Sequence, residues 1–165
     1  MKLILASTFA AVIVATSGAL AYGAQQPRIS PARERVVDAL DAGLAGTPMA
    51  HTGRELEAAG WKWKVHPAFI AGIAGTESSF GRLGCRGNPR NSFGLSSCNS
   101  GWRVPYFPTW AAAYDFMGRF LASRWPSARS PYDYHGYAAC SSCWGRATSL
   151  HMSRFGLGTN VRYGR

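Results

Sequence analysis

The amino-acid sequence predicts a single, mainly α-helical domain with minimal β structure. Apolar residues recur at spacings of three and four along five segments, and Ser, Thr or Pro often stands where such a segment begins. Two long stretches, one after the third segment and one before the fifth, show no helical period. Because the chain has no internal repeat and no low-complexity tract, we expect one domain rather than an array of repeated units.

The first 21 residues have the pattern of a secretory signal peptide. Met1-Lys2 precede a mostly apolar run that closes with Ala19-Leu20-Ala21, a small-residue cleavage pattern. Cleavage after Ala21 leaves 144 of the 165 residues, which fits one domain. We therefore expect a secreted protein of the cell envelope or periplasm with no stable membrane insertion after cleavage. An uncleaved anchor is the alternative, because the apolar run is just long enough to span a bilayer.

A leader and a first helix are predicted over residues 22–46. Ser30 and Pro31 have the residue types of an N-cap and a first helical position. The apolar stripe that follows consists of Val36, Val37, Leu40 and Leu44. A Gly-Thr-Pro break at residues 46–48 is expected to end this helix.

A second, short helix is predicted to begin at Thr52. Thr52 and Glu55 have the spacing of a capping box, and Gly60 is the expected end of the helix. Residues 61–65 alternate Trp and Lys with period two. This alternation predicts a short strand or an extended connector.

The third predicted helix begins at Pro67 and carries Glu77. On such a helix Glu77 shares one face with Ile70, Ile73 and Ala74, so an acid occupies a core-facing position. Partial burial among apolar neighbours disfavours the charged carboxylate and raises its pKa. The pattern therefore predicts a general acid at Glu77; a solvated acid at an ordinary helix end is the alternative.

The rest of the chain is predicted as a loop, a helix, a second loop and a last helix. Residues 81–101 are rich in Gly and Asn, and a structured loop of this length is usually functional. A fourth helix is predicted from Thr109 to Trp125. Its apolar face is Trp110, Ala113, Tyr114, Met117, Phe120 and Leu121. An aromatic loop over 132–143 then leads to a helix over 144–155.

The four cysteines, an even number behind an export signal, predict two disulfides. They are Cys85, Cys98, Cys140 and Cys143. Of the three connectivities, we favour Cys85 with Cys98 and Cys140 with Cys143. No well-spaced His accompanies the cysteines, so we predict no metal site, and no cofactor motif is present.

The charge balance predicts an anionic partner. The formal net charge is +10, and it stays at +9 when Lys2 is removed with the leader. Such a surface favours polyanions, although solubility alone can account for part of the charge. The basic residues are scattered over the chain and follow no known nucleic-acid-binding pattern, so we expect no nucleic-acid partner.

Only three acids follow residue 60, namely Glu77, Asp115 and Asp133. A glycosidase that uses two carboxyl groups needs a second acid across the sugar from the first. Asp115 is expected to pair with Arg119 one turn later, and turn chemistry accounts for Asp133. The sequence therefore favours a mechanism in which one carboxyl group suffices.

Two motifs give the chain a family resemblance. The segment Glu77-Ser78-Ser79-Phe80-Gly81 is followed about fifteen residues on by Asn91-Ser92-Phe93-Gly94-Leu95. Together with weaker elements downstream, these motifs resemble the lysozyme-like superfamily, in particular bacterial lytic transglycosylases and related N-acetylglucosaminidases. The similarity covers about residues 47–156, and residues 157–165 form a tail.

The resemblance implies a lysozyme-like α+β fold with a saccharide-binding cleft, acting as a monomer on the β-1,4 bonds of peptidoglycan glycan strands. Glu77 would match the catalytic acid, which in transglycosylases then acts as the base that closes a 1,6-anhydro ring. The residues expected to contact the substrate are Ser79, Asn91, Phe93, Gly94 and Tyr137.

One departure from the family pattern leaves the reaction outcome open. The transglycosylase form usually carries Gly-Leu-Met-Gln after the loop, whereas here Gly94-Leu95 is followed by Ser96-Ser97-Cys98. Because this Gln is missing, the sequence resembles the glucosaminidase-like branch more than the transglycosylase branch at this position. A non-catalytic, cationic wall-binding module is the alternative from another functional class.

Overall fold

A computed structural model of the protein describes residues 28–85, 87–95 and 105–164, and over these residues the chain is mainly helical, as predicted. The helices are α1 (Pro31–Leu44), α2 (Gly53–Trp63), α3 (Pro67–Ser78), α4 (Trp110–Arg124) and α5 (Ser141–Ser153), with one 3-10 turn at Pro131–Asp133. In the described ranges, β structure is limited to two isolated bridges, Val65 with Arg162 and Cys85 with Asn88.

Helix α3 is the central element of the fold. Every residue from 67 to 75 is buried, because α5 packs on one side of α3 and α2 on another. Gly72 permits the approach of α5, since a Cβ at this position would lie 2.8 Å from Cγ of Met152. The packing of α2 against α4 completes the core, which also contains residues of α1 and Val161 near the C-terminus.

Three predicted helix starts are confirmed because local chemistry determines them. Ser30 accepts a hydrogen bond from the Arg33 N–H at 3.4 Å, and Thr109 accepts one from Ala112 at 3.1 Å. Pro67 opens α3, where the His66 imidazole accepts from the Ala68 N–H at 3.2 Å.

The predicted capping box at Thr52 is wrong. The Thr52 hydroxyl lies 2.7 Å from both the Met49 carbonyl and the Tyr114 hydroxyl, so tertiary contacts take it away from α2. Asp41 of α1 serves this helix start instead, since its carboxylate accepts from the Gly53 N–H at 2.7 Å.

The predicted end of α2 at Gly60 and the predicted strand over 61–65 are also wrong. The helix runs on to Trp63 and ends at Lys64 in a left-handed conformation. Gly60 serves close packing, because a Cβ there would lie 2.7 Å from the Val65 carbonyl oxygen. Because residues two apart point to opposite sides of a helix, Trp61 contacts Tyr163 whereas Trp63 packs against Gly118 of α4.

Asp115 does not form the predicted ion pair with Arg119. Its carboxylate accepts from Lys62 Nζ at 2.7 Å and from Trp63 Nε1 at 2.8 Å, which joins α4 to α2. Asp133 has the predicted turn role, since it accepts from the N–H groups of Arg129 and Ser130.

The expected Cys140–Cys143 disulfide is present. Cys85 is also disulfide-bonded, which excludes the connectivities that join it to Cys140 or Cys143. Cys98 lies outside the described residues, as do the predicted signal peptide over 1–21 and the start of the leader. No helix in the described part of the chain combines the length and apolar character needed to cross a bilayer.

Candidate functional site

Glu77 lies where α3 emerges from the core. Ile70, Ile73 and Ala74 on the same face are fully buried, whereas the Glu77 side chain is only partly exposed. Burial raises the pKa of the Glu77 carboxyl above its ordinary value, and a hydrogen bond from Trp144 opposes that rise. The last turn of a helix also carries partial negative charge, which further disfavours a carboxylate there.

Trp144 of α5 is the direct partner of Glu77. Its Nε1 donates a hydrogen bond to Glu77 Oε1 at 2.7 Å, and the indole itself is buried. The sequence places Trp144 only at the start of the last predicted helix, and this contact is not predicted. The available signal was chemical, since a buried indole N–H needs an acceptor and Glu77 is one of only three acids after residue 60.

An unusual turn follows Glu77. Ser79, Phe80 and Gly81 have consecutive positive φ angles of 51°, 59° and 87°. Two of these residues are not glycine, so the turn concentrates backbone strain next to the acid, as functional sites often do. The Phe80 N–H closes the end of α3 by donating to the Ala74 carbonyl at 3.0 Å.

Ser78 holds the returning chain against this turn. Its buried hydroxyl lies 2.9 Å from the carbonyl oxygens of both Ala74 and Ser92, which share its proton. The same hydroxyl accepts a hydrogen bond from the Gly81 N–H at 2.9 Å. The Ser79 side chain, which sequence reasoning placed at the substrate, is exposed beside it. The hydrogen bond from Ser78 to Ser92 holds the Asn-x-Phe-Gly motif against the end of α3.

The backbone of Gly94 lies against the Glu77 carboxyl group. A Cβ at this position would lie 2.7 Å from Cδ of Glu77, and Gly94 has a positive φ of 63°. Both facts require glycine, the first for space and the second for conformation. The Glu77 carboxyl group therefore packs against the main chain of the Asn-x-Phe-Gly motif.

Tyr137 connects the second loop to the same motif. Its hydroxyl donates to the Phe93 carbonyl at 2.6 Å, and its ring lies 4.6 Å from the Trp144 ring, centroid to centroid. Burial, together with the nearby Glu77 charge, raises the pKa of Tyr137 well above its ordinary value, so the hydroxyl remains a neutral donor. The fold thus joins Glu77, Gly94, Tyr137 and Trp144 in one cluster, which we call the Glu77 site.

Phe93 and Asn91 are buried and support the main chain that lies next to Glu77. The Phe93 ring is fully buried and meets Tyr114 edge to face, so Phe93 reaches the site through its main chain. The Asn91 side chain is buried and donates to the Leu95 carbonyl at 2.8 Å, which closes the motif on itself.

The other two late acids are engaged elsewhere. Asp115 binds Lys62 and Trp63, and Asp133 caps its own turn. No group of three potential metal ligands occurs in the described ranges. Chemically, the Glu77 site can hold a proton on a carboxyl group and stabilise the anion left when that proton departs.

Neither the protein-family models nor the curated protein sequences contain a match to this chain.

Proposed function

We propose that this protein is an exported enzyme that cleaves the β-1,4 bonds of peptidoglycan glycan strands, with Glu77 as its single acid and base and with a lysozyme-like α+β fold and cleft. The observation that carries the proposal is the Glu77 carboxyl group itself. The Glu77 side chain is partly exposed, the pKa of its carboxyl is raised, and its hydrogen-bond partner among the described residues is a neutral indole N–H rather than a cation. A carboxyl group in this environment keeps its proton to a higher pH than a solvated one does, as a general acid requires.

The first chemical step is protonation of the glycosidic oxygen. The Glu77 proton moves to that oxygen as its bond to the sugar C1 breaks, which leaves positive charge on the sugar ring and negative charge on Glu77. The Trp144 N–H, 2.7 Å from Oε1, stabilises this carboxylate as it forms.

The second step regenerates the acid. The Glu77 carboxylate takes the proton from the C6 hydroxyl of the same sugar while the C6 oxygen bonds to C1. One C–O bond has then broken and another has formed, the proton has returned to Glu77, and no water is consumed. This route needs one carboxyl group, in keeping with the engagement of Asp115 and Asp133 elsewhere.

Release of soluble fragments from purified cell wall tests the proposal. We expect Glu77→Gln to lower the rate at least about 100-fold, since the amide cannot donate the proton. Glu34→Gln is a matched control, because Glu34 lies at the surface in an ion pair with Arg54, on α1. Equal rates for wild type and Glu77→Gln would refute the proposal.

Mass analysis of the fragments separates the two reaction outcomes. Anhydro ends indicate the ring-closing route, whereas reducing ends show that water took the place of the C6 hydroxyl. Wild-type protein that pellets with cell wall but releases no fragments would instead identify a wall-binding module.

A further inference from the structure

A second candidate site lies at the opposite end of α3 from Glu77. A cavity of about 460 Å³ is lined there by Lys64, Pro126, Arg129, Asn160, Arg162 and Tyr163, and we call it the basic groove. Lys64 precedes the first residue of α3, Pro67, which is separated from Glu77 by ten residues or roughly 15 Å along the helix axis. The basic groove is therefore distinct from the Glu77 site.

Within the described part of the chain, three cations of the groove form no ion pair with a carboxylate. Ion pairs in the described ranges join Arg33 to Glu57, Arg54 to Glu34 and Lys62 to Asp115, and none of them includes a groove residue. Lys64 and Arg129 are exposed to solvent, and Arg162 is partly exposed.

Neutral groups hold these cations in position. Arg162 donates from Nε to the Ala128 carbonyl at 2.8 Å and from Nη2 to the carbonyls of Trp125 and Pro126. The Nη1 atom of Arg129 donates to the carbonyls of Ser127 and Ala128, both at 3.0 Å. These bonds orient the guanidinium groups and leave their formal charge uncompensated.

One side of the groove is formed by Lys64 and by the C-terminal segment, which is hydrogen-bonded to the main chain at Lys64 and His66. The Lys64 ammonium lies 4.3 Å from the centroid of the Trp61 ring. The C-terminal segment is fixed beside it, because the His66 N–H donates to the Val161 carbonyl at 2.8 Å and the Tyr163 N–H donates to the Lys64 carbonyl at 3.3 Å.

Glu57 and Asp133 each accept a hydrogen bond from a groove residue, but neither forms an ion pair with Lys64, Arg129 or Arg162. Glu57 is buried and receives hydrogen bonds from Arg33 and from the Tyr163 hydroxyl. Asp133 accepts two backbone N–H groups at its turn. The groove therefore keeps an excess of positive charge. Because hydrogen bonds already orient Arg129 and Arg162, these side chains need little ordering before an anion binds.

We propose that the basic groove binds the phosphate groups of an anionic, phosphodiester-linked polyol polymer of the cell envelope. Guanidinium groups match phosphate oxygens in geometry, and several cations along one groove suit a ligand that carries repeated charges. The predicted export signal favours an envelope polymer over nucleic acid. The groove would hold the protein on phosphate-bearing wall, independently of the chemistry at Glu77.

Binding of poly(glycerol phosphate), measured by calorimetry at two salt concentrations, tests this proposal. We expect the double variant Lys64→Gln/Arg129→Gln to bind about tenfold more weakly than wild type at the lower salt concentration. The control Arg119→Gln/Arg146→Gln removes the same charge from exposed positions on α4 and α5 and should change affinity less than about twofold. Thermal unfolding of both variants verifies that they are folded.

A second arm uses cell wall before and after hydrofluoric acid removes its phosphodiester polymers. Wild type should pellet with intact wall more strongly than with stripped wall, and Lys64→Gln/Arg129→Gln should lose that difference. Pelleting measures binding alone, so this test remains readable if the Glu77 proposal fails. If wild type does release fragments, the rate from stripped wall should be the same for the groove variant.

Three results would overturn the proposal. Equal losses in the two double variants would show that overall charge, not the groove, binds the polymer. Stronger binding of a single-stranded oligonucleotide than of poly(glycerol phosphate) would identify nucleic acid as the ligand. A groove-dependent loss seen only with vesicles of phosphatidylcholine and phosphatidylglycerol would identify a lipid surface.

Discussion

Glu57 and Glu77 are both withdrawn from solvent, yet their surroundings differ in kind. Glu57 is 1% exposed and receives hydrogen bonds from Arg33 and Tyr163, so its negative charge is balanced inside the fold. Glu77 is partly exposed and is bound by the neutral indole of Trp144. A buried acid with a cation holds elements together, whereas an acid without one is free to exchange a proton.

The two ends of α3 show the same contrast. At its N-terminal end, His66 caps the helix and the C-terminal segment packs over it through hydrogen bonds. At its C-terminal end, a strained turn and a glycine bring backbone against Glu77 and leave part of the carboxyl group accessible. Hydrogen bonds therefore close the N-terminal end of α3, whereas the C-terminal end presents a partly exposed acid.

The largest expected effect is on stability, from Glu57→Gln. The amide leaves the Arg33 guanidinium without a counter-charge, so we expect the free energy of unfolding to fall by about 3 kcal/mol. Glu77→Gln should cause no such loss at pH 7, because the raised pKa of Glu77 means that its ionised form is disfavoured in the folded state.

Urea unfolding followed by circular dichroism measures both changes. If Glu77→Gln destabilised the protein as much as Glu57→Gln, the contrast between a structural and a reactive acid would be wrong.

The second prediction concerns the acid sensitivity of the N-terminal end of α3. Burial lowers the pKa of His66 from 6.5 to about 4. As the pH falls below 6.5, the unfolded chain takes up this proton before the folded protein does, so stability is lost progressively down to pH 4. The loss from this group is at most about 3 kcal/mol.

His66→Asn provides the comparison, because Asn keeps an N-cap acceptor and cannot titrate. Its free energy of unfolding should fall less than that of wild type between pH 7 and pH 4. If the free energies of unfolding of the two proteins fell equally with pH, His66 would not be the source of the acid sensitivity.

Gly94→Ala tests the close approach at the other end. The new Cβ would lie 2.7 Å from Cδ of Glu77 in a left-handed backbone conformation, so the carboxyl group must move. We expect the rate of fragment release to fall at least about tenfold, since displaced catalytic groups lose their alignment. Strain should lower stability by about 1 kcal/mol.

Gly156→Ala is a suitable control for this substitution, because Gly156 has a similar positive φ of 64° but no heavy atom of the described residues lies within 4 Å of a Cβ there. A Gly94→Ala variant with wild-type activity would show that the observed approach is unimportant.

The smallest effect is expected from Trp144→Phe. Loss of the indole N–H removes the contact that favours the carboxylate, so the pKa of Glu77 should rise further. Because the acid must be protonated, the alkaline limb of the rate profile should move to higher pH, while the maximum rate falls less than about tenfold.

Trp63→Phe is the matched control, since Trp63 also donates its indole N–H to a carboxylate, that of Asp115. This variant should leave the pH profile unchanged. An unchanged profile in Trp144→Phe as well would mean that Trp144 does not tune Glu77.

Sequence reasoning succeeded where neighbours in the chain determine the outcome. The starts of α1, α3 and α4 follow from Ser30, Pro67 and Thr109, and the burial of the face that carries Glu77 follows from apolar periodicity. It failed at Thr52, where a hydroxyl that could cap α2 instead contacts Tyr114, 62 positions later. A local pattern gives no information about such a competitor.

The sequence by itself determined the helical character of the protein, the position of an acid on an apolar helix face and the even set of cysteines, because spacing and residue type decide these features. Only the tertiary structure decided that Trp144, Gly94 and Tyr137 meet at Glu77, that Arg33 and Tyr163 meet at Glu57, and that three cations line one groove. The physical reason is that a carboxyl group's proton affinity depends on what surrounds it in space, and those neighbours come from distant segments of the chain.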